Sequence, residues 1–261
     1  MYNTISIEID ERGVATLALD RAEKHNAMSA EMMLELTAAA KQLGEDPKVR
    51  VVVLTGAGKS FCAGGDLAWM KEQMAADSET RFVEARKLAV MLNSLNNMPK
   101  PLIGKLQGNA FGGGVGMASV CDVAIGVNTL KMGLTETKLG LIPATIGPYV
   151  LSRMGEAMAR RVFMSSRLFG ADEAVTLGLL AKAVPAEELD NAVENEVVPY
   201  LSCAPEAVAR AKALARSLGP RIDDAVIDHT IRELVACWDG DEANEGVGAF
   251  FEKRPAAWIS K

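Results

Sequence analysis

The sequence predicts an α/β fold with a largely parallel sheet and a helical C-terminal part. Two observations carry this reading. Strand-like apolar runs alternate with helix-period stretches from Ile5 to Val127, and beyond about Ala144 the strand signals fade while helical patterns continue. The order βαβαβ in the first part implies right-handed crossovers between parallel strands.

Taken in order, Ile5, Ile7 and Ile9 alternate with polar residues, and Val14 to Leu19 follows Glu11-Arg12-Gly13 as the return arm of an antiparallel hairpin. Ser29 can cap a helix whose Met32, Met33, Leu36, Ala40 and Leu43 share one face, with Gly44 as its stop. Val49 to Leu54 is a continuous β-branched run suited to a strand buried on both faces. A second helix over about Glu79 to Asn96 carries Phe82, Ala85, Leu88, Ala89, Leu92 and Leu95, and stops before Pro99-Lys100-Pro101. Leu102 to Leu106 reads as a strand, Gly112-Gly113-Gly114 opens a short helix, and Asp122 to Val127 is a strand again. Helices are then expected at about 144–154, 156–164, 171–178 and 186–200. Ala204-Pro205-Glu206 puts proline at a first helical position, and the remaining chain holds two or three helices with Gly219-Pro220 between them.

Composition removes several functional classes. The chain has 261 residues, 28 Lys plus Arg against 34 Asp plus Glu, and a net charge of −6. That length supports one large domain, or one with an appendage, and a sizeable core. The mild acidity gives no general electrostatic reason to bind nucleic acid or an anionic membrane, so an anionic ligand needs a few local cations and backbone amides. No uncharged apolar run approaches the roughly 20 residues needed to span a bilayer. The start, Met1-Tyr2-Asn3-Thr4, has no signal-peptide pattern, so a cytoplasmic location is expected. Cys62, Cys121, Cys203 and Cys237 lie too far apart for a CxxC pair or zinc spacing, so no metal site is expected.

Familiar motifs fail. Gly58-Lys59-Ser60 resembles the end of a P-loop, but Val53 stands where that pattern needs glycine. Both GxGxxG candidates break, at Phe61 and at Met117. There is no GxSxG or HExxH, and His25 and His229 are too few for a histidine triad; His25 reads as a turn residue and His229 as a helix-surface or interface residue.

What survives is a pair of small-residue loops, Ser60-Phe61-Cys62-Ala63-Gly64-Gly65-Asp66 and Gly108-Asn109-Ala110-Phe111-Gly112-Gly113-Gly114, each directly after a strand. Alone, either loop also fits glycines that merely end a strand and admit tight packing. Together they suit bare backbone N–H groups converging on one oxygen, with a helix dipole behind the second loop.

With these loops, Arg21-Ala22-Glu23-Lys24-His25-Asn26-Ala27-Met28, Glu136-Thr137-Lys138-Leu139-Gly140-Leu141-Ile142-Pro143 and Phe250-Phe251-Glu252-Lys253-Arg254 make five ordered motifs. In them the chain resembles the crotonase superfamily, the enoyl-CoA hydratase/isomerase family, from about Ile5 to Trp258. The resemblance implies a spiral of ββα units over residues 1–200 that binds acyl-CoA. It also implies a helical oligomerisation region over 201–261 that builds a homotrimer, commonly paired into a hexamer. It places the oxyanion amides at Ala63 and Gly113, and the CoA contacts at Lys24, Ala27, Ala63, Gly64, Gly65, Asp66, Leu67 and Gly113, with Phe250 and Lys253 coming from a neighbouring subunit. No cofactor is implied beyond the coenzyme A carried by the substrate.

The acid/base is where the chain departs from the family pattern. Hydratases of the family usually carry two glutamates; here the later one is Glu136, and the earlier position is Gly116. Met132, Leu134 and Leu139 beside Glu136 favour a raised pKa, as a proton shuttle near neutral pH needs. Read without the family, Glu136 is in the first place an ordinary carboxylate at a helix N-terminus, facing the dipole. Three readings follow: a single-glutamate hydratase, a Δ3,Δ2-enoyl-CoA isomerase using the same glutamate, or a non-catalytic acyl-CoA-binding homologue, against which retention of Glu136 argues. An RNA-binding role is a fourth, opposed by the charge.

The stretch from Gly112 to Met117, Cys121-Asp122, and Leu141 to Val150 is similar to bacterial 3-methylglutaconyl-CoA hydratases and their isohexenylglutaconyl-CoA relatives, which points to hydration in leucine or acyclic-terpene breakdown. Such a substrate has a second carboxylate. The sequence does not identify its partner: Arg81 and Arg86 on the helix after the first loop, and Lys138 and Tyr149 near Glu136, read in the first place as solvated or structural residues. Trp69, Met70 and Met74 fall where the family lines its acyl pocket, and fit plain core as well.

Overall fold

A computed structural model of the chain describes residues 2–259. The hairpin forms as β1 (Ile5–Ile9) antiparallel to β2 (Val14–Leu19), with Ile5 opposite Leu19 and Gly13 turning the chain at a φ of 82°. Helix α1 (Ala30–Glu45) is capped by Ser29, whose Oγ accepts the Met32 N–H at 3.2 Å, and all five apolar residues of the expected face are buried. The helix runs one residue past Gly44. That glycine serves packing, since a methyl group on it would lie 3.0 Å from Pro99 Cδ.

The chain then runs through β3 (Val51–Gly56), β4 (Ser60–Cys62), α2 (Leu67–Ala75), α3 (Ser78–Asn97), β5 (Leu102–Leu106), β6 (Asn109–Phe111), α4 (Gly113–Val120), β7 (Val123–Val127) and β8 (Lys131–Gly133). A single 3₁₀ turn at Glu136–Leu139 leads to α5 (Gly147–Met154), α6 (Glu156–Phe163), β9 (Phe169–Gly170), α7 (Ala171–Thr176), β10 (Lys182–Val184) and α8 (Leu189–Leu201). The last helices are α9 (Pro205–Leu218), α10 (Asp224–Trp238) and α11 (Asp241–Glu252).

Among the described residues ten strands make two sheets, β1-β2-β3-β5-β7-β10 and β4-β6-β8-β9. The first is parallel apart from the hairpin. From β3 to β8 each unit lays a long strand in the first sheet, turns, adds a short strand to the second, and leaves through helix or turn, while β9 and β10 join the two sheets in the reverse order. The architecture is therefore the ββα spiral rather than a plain βαβ series. β4 and β6 lie inside the small-residue loops, and β9 and β10 lie beyond Ala144, where the sequence had shown only helices. Strands of two or three residues are too short to show alternation, and their pairing comes from neighbours far away in sequence.

The main core runs from Ile5 to Val197 and includes all of Val51, Val52, Val53 and Leu54, each such side chain contributing about 1.5–3 kcal/mol by burial. The C-terminal helices use smaller clusters. Ile227 and Ile231 of α10 pack on Ala85 and Ala89 of α3, while Trp238, Ala243 and Val247 pack on Leu141. α9 buries none of its residues, and Leu214 and Leu218 are 60% and 80% exposed. No helix among the described residues is long and apolar enough to cross a membrane.

Candidate active site

The turn at residues 24–28 and the loop at 62–66 are stitched together by backbone. Met28 N–H donates to the Gly64 carbonyl at 2.8 Å, Asp66 N–H to Met28 at 3.0 Å, and Ala63 N–H to His25 at 3.0 Å. His25 and Asn26 both take the left-handed conformation that bends the chain here, with φ of 52° and 53°. Asn26 is fully buried; its amide donates to the Ala57 and Ser60 carbonyls, each at 2.9 Å, and its Oδ1 accepts the Arg21 N–H. Lys24 and Ala27 are thereby held beside the segment Ala63 to Leu67.

Asp66 is the N-cap of α2, accepting from Ala68 and Trp69, and it pairs with Arg21 at 2.9 Å. Burial alone would raise its pKa, but the Ala68 and Trp69 amides and the Arg21 guanidinium outweigh burial and hold it below the usual carboxylate range. Asp66 stays ionised and anchors the loop.

The second loop lies against the first. A methyl group on Gly112 would sit 4.0 Å from Gly64 Cα, and one on Gly64 would sit 3.2 Å from the Phe111 carbonyl oxygen. Gly113 lies over Met28, whose Cε would be 1.9 Å from any Cβ there, so a side chain at 113 requires the end of Met28 to move.

Of the two oxyanion donors expected, Ala63 is corrected. Its N–H is spent on His25, whereas neither Gly65 N–H nor Gly113 N–H has an acceptor among the described residues. The cause is the bridge pairing Met28 with Gly65, which turns the flanking peptide groups, Gly64 C=O and Asp66 N–H, toward Met28 and leaves the Gly65 amide facing away. Gly113 is the first residue of α4, where the first-turn N–H groups lack intrahelical partners.

Glu136 opens the 3₁₀ turn and reaches back to this junction. Its Oε1 is 3.1 Å from where a Cβ on Gly112 would be, and its Oε2 is buried without a hydrogen-bond partner. Burial pushes its pKa up to about 7, against a smaller opposing effect of its own backbone amide. The turn is seated by Thr137 and Lys138 on the left-handed Ser166, with Thr137 Oγ1 and Ser166 Oγ 2.5 Å apart and Lys138 N–H donating to Ser166 Oγ at 3.1 Å. On the other side, Met70 and Met74 join Leu139 and Leu141 in one apolar cluster, and Trp69 and Met70 flank Gly65. A carboxyl group near neutral pKa therefore sits between an apolar wall and two open amides.

Residues 10–261 match the enoyl-CoA hydratase/isomerase family. The chain belongs to that family. It is 33% identical to the crotonyl-CoA hydratase of Syntrophomonas wolfei, covering 100% of this chain and 99% of that one. It is 32% identical to the short-chain-enoyl-CoA hydratase of Clostridium acetobutylicum, over 97% and 96% of the two chains. The crystal structure of an enoyl-CoA hydratase from Shewanella pealeana superposes with a TM-score of 0.81 at 36% identity, over 99% and 97%. The activity is of the enoyl-CoA hydratase type, on an acyl-CoA thioester.

Within this family member, the place of the missing first glutamate is filled. A Cβ on Gly116 would meet Ile146 Cγ2 at 2.5 Å and Leu92 Cδ2 at 3.6 Å, so no carboxylate fits there while Ile146 keeps its position. Of the candidates for a distal carboxylate, the two arginines are engaged elsewhere. Arg81 donates to Gln73 and Asp239, and Arg86 pairs with Asp224 and Asp228 across α3 and α10. Lys138 is exposed, and Tyr149 lines a different cavity, beyond Ile146. Phe250 and Lys253 sit at the exposed end of α11. Sequence reasoning missed three supports: Arg21, Asn26 and the Met28 side chain. The only signal for them was a polar turn motif whose asparagine tolerates left-handed backbone.

Proposed function

We propose that the chain is a hydratase that adds water across the double bond of an α,β-unsaturated acyl-CoA, with 3-methylglutaconyl-CoA or a related glutaconyl-CoA as substrate and Glu136 as the single acid/base. The observation that carries this reading is Glu136 itself, half-buried beside Gly112 with its Oε2 out of water, a pKa of about 7, and the two loops that offer the Gly65 and Gly113 amides alongside. The branched glutaconyl group rests on the similarity of the stretches 112–117 and 141–150 to such hydratases.

The thioester oxygen accepts from Gly65 and Gly113. The Glu136 carboxylate takes a proton from water as the water oxygen bonds to Cβ, and the displaced π electrons move to the thioester oxygen, where each preorganised donor contributes about 3 kcal/mol. The protonated Glu136 then returns its proton to Cα on the same face as the enolate collapses. One H and one OH are added, and the carboxylate is restored. Coenzyme A lies along Lys24, Ala27 and Gly64 to Leu67. The bare surface of α9 is covered by further copies in a trimer, whose neighbouring subunit brings Phe250 and Lys253 to the same coenzyme.

One carboxylate also suffices to move a proton between Cα and Cγ, so an isomerase is the second reading. Incubation with 3-methylglutaconyl-CoA in ¹⁸O-labelled water separates the two. Gain of one labelled water is expected; a moved double bond with unchanged oxygen content makes the enzyme an isomerase, and binding without turnover across longer enoyl-CoA substrates makes it a non-catalytic homologue.

A further inference from the structure

Between α9 and the core lies a cavity of about 830 Å³, lined among others by Ser119, Tyr149, Arg153, Lys212, Arg216 and Arg221. None of the residues assigned to the thioester site lines it. Ser119 is one turn along α4 from Gly116, and Tyr149 one turn along α5 from Ile146, so the cavity is lined from the same two helices that meet at the Gly116–Ile146 contact.

Two features mark it as built for a ligand. The first is charge. Asp122 is the single carboxylate of the lining, and both its oxygens are committed: Oδ2 accepts from Lys212 at 2.7 Å and from the Leu102 N–H at 2.8 Å, and Oδ1 faces Arg216 at 3.5 Å. Arg153 reaches only the Asp122 backbone carbonyl, at 3.3 Å, and Arg221 pairs with Asp223 outside the lining. Lys212 and Arg216 thus share one carboxylate and Arg153 contacts no carboxylate oxygen, an excess of positive charge that is costly in a half-buried place without a counter-ion.

The second feature is a pair of unmet polar atoms. Tyr149 is 2% exposed, and its hydroxyl has no hydrogen-bond partner; neither does the buried Nε of Arg216, whose other nitrogens are taken by Asn96 and Asp122. Both can donate, so the complementary group is an acceptor with several lone pairs and negative charge. The volume is in the range of small-molecule sites, roughly 300–1,000 Å³.

We propose that this cavity is a second binding site, for a small oxyanion bearing a carboxylate or phosphate group, with Tyr149 Oη and Arg216 Nε donating to it and Lys212 and Arg153 balancing its charge. The site does not depend on the reaction assigned to Glu136.

The test is thermal denaturation and calorimetry of the full-length protein with inorganic phosphate, succinate or sodium chloride at matched ionic strength. Phosphate or succinate should bind saturably and raise Tm by at least about 5 °C at a hundredfold excess over Kd, with chloride inert; which of the two does so identifies the headgroup. Tyr149→Phe and Arg216→Gln should each weaken that binding at least tenfold while leaving the unliganded Tm within a few degrees. Equal shifts with chloride, or saturable binding that neither variant alters, would overturn the proposal. So would a loss of oligomeric mass in both variants with no anion binding by the wild type, which would assign the cavity to a neighbouring copy of the chain.

Discussion

Gly246 of α11 lies directly against the backbone of Leu139, so close that a methyl group on it would stand 2.5 Å from the Leu139 carbonyl carbon and 2.8 Å from its Cα. The contact is reciprocal, because a methyl on Gly140 would lie 2.3 Å from the carbonyl carbon of Glu242. Both obstacles are backbone, which cannot rotate away as a side chain can. The C-terminal helix therefore sets the height of the turn that carries Glu136. Gly246→Ala should push that turn and its carboxylate, lowering kcat at least tenfold with a smaller change in KM. Steady-state kinetics beside a melting curve checks this, and an unchanged kcat would show that the turn holds Glu136 without α11.

Glu136→Gln should lower turnover by at least about a hundredfold, the usual range for a general acid–base group, while thioester binding persists. The same variant gives a stability test with a definite sign. The folded pKa of about 7 lies above the ordinary carboxylate value of 4.5. The folded state therefore binds the proton more tightly than the unfolded chain, and the stabilisation present below pH 4.5 is lost as pH rises through 7. Above that the ionised, buried carboxylate costs on the order of 3 kcal/mol. Glutamine removes that cost, so Glu136→Gln should melt higher than wild type at pH 8 and close to it at pH 4.5.

The oxyanion assignment separates Gly65 from Ala63. Gly65→Pro removes a free N–H and should cost about 10²–10³ in kcat, with bound thioester still detectable by calorimetry. The reverse outcome, normal turnover, would return the role to another amide. Gly113→Ala acts sterically, since its methyl would overlap Met28 Cε. The obstacle is the end of a flexible side chain, so Met28→Ala should restore much of the activity lost in Gly113→Ala.

Much of this was legible because the relevant signals are local. The β1–β2 hairpin, the α1 face and the Ser29 cap follow from alternation, a 3.6 period and one hydroxyl. The raised pKa of Glu136 follows from Met132, Leu134 and Leu139 nearby in sequence. The short strands β4, β6, β8 and β9 were hidden because pairing partners, not periodicity, make them. Ala63 and Gly65 could not be told apart for the same reason: in a run of small residues the free amide is decided by the bridge to Met28, which lies far back in the chain. Tyr149 looks close to Glu136 by sequence, yet it lines the cavity under α9, to which neither Glu136 nor either small-residue loop contributes.

Gly116 is glycine because Ile146 occupies the space beside it, with Cγ2 and Cβ at 2.5 Å and 3.0 Å from a modest methyl group. Gly116→Ala should therefore destabilise by about 1–3 kcal/mol through overpacking, and Gly116→Glu by more, since it would also force a carboxylate among Ile146 and Leu92. Replacing Ile146 with alanine opens the space. The double variant Gly116→Glu, Ile146→Ala should recover stability relative to Gly116→Glu alone, measured as the midpoint in urea. If Gly116→Glu alone matched wild type in midpoint, Ile146 would be shown to move freely, and the single-carboxylate character of the site would need another cause.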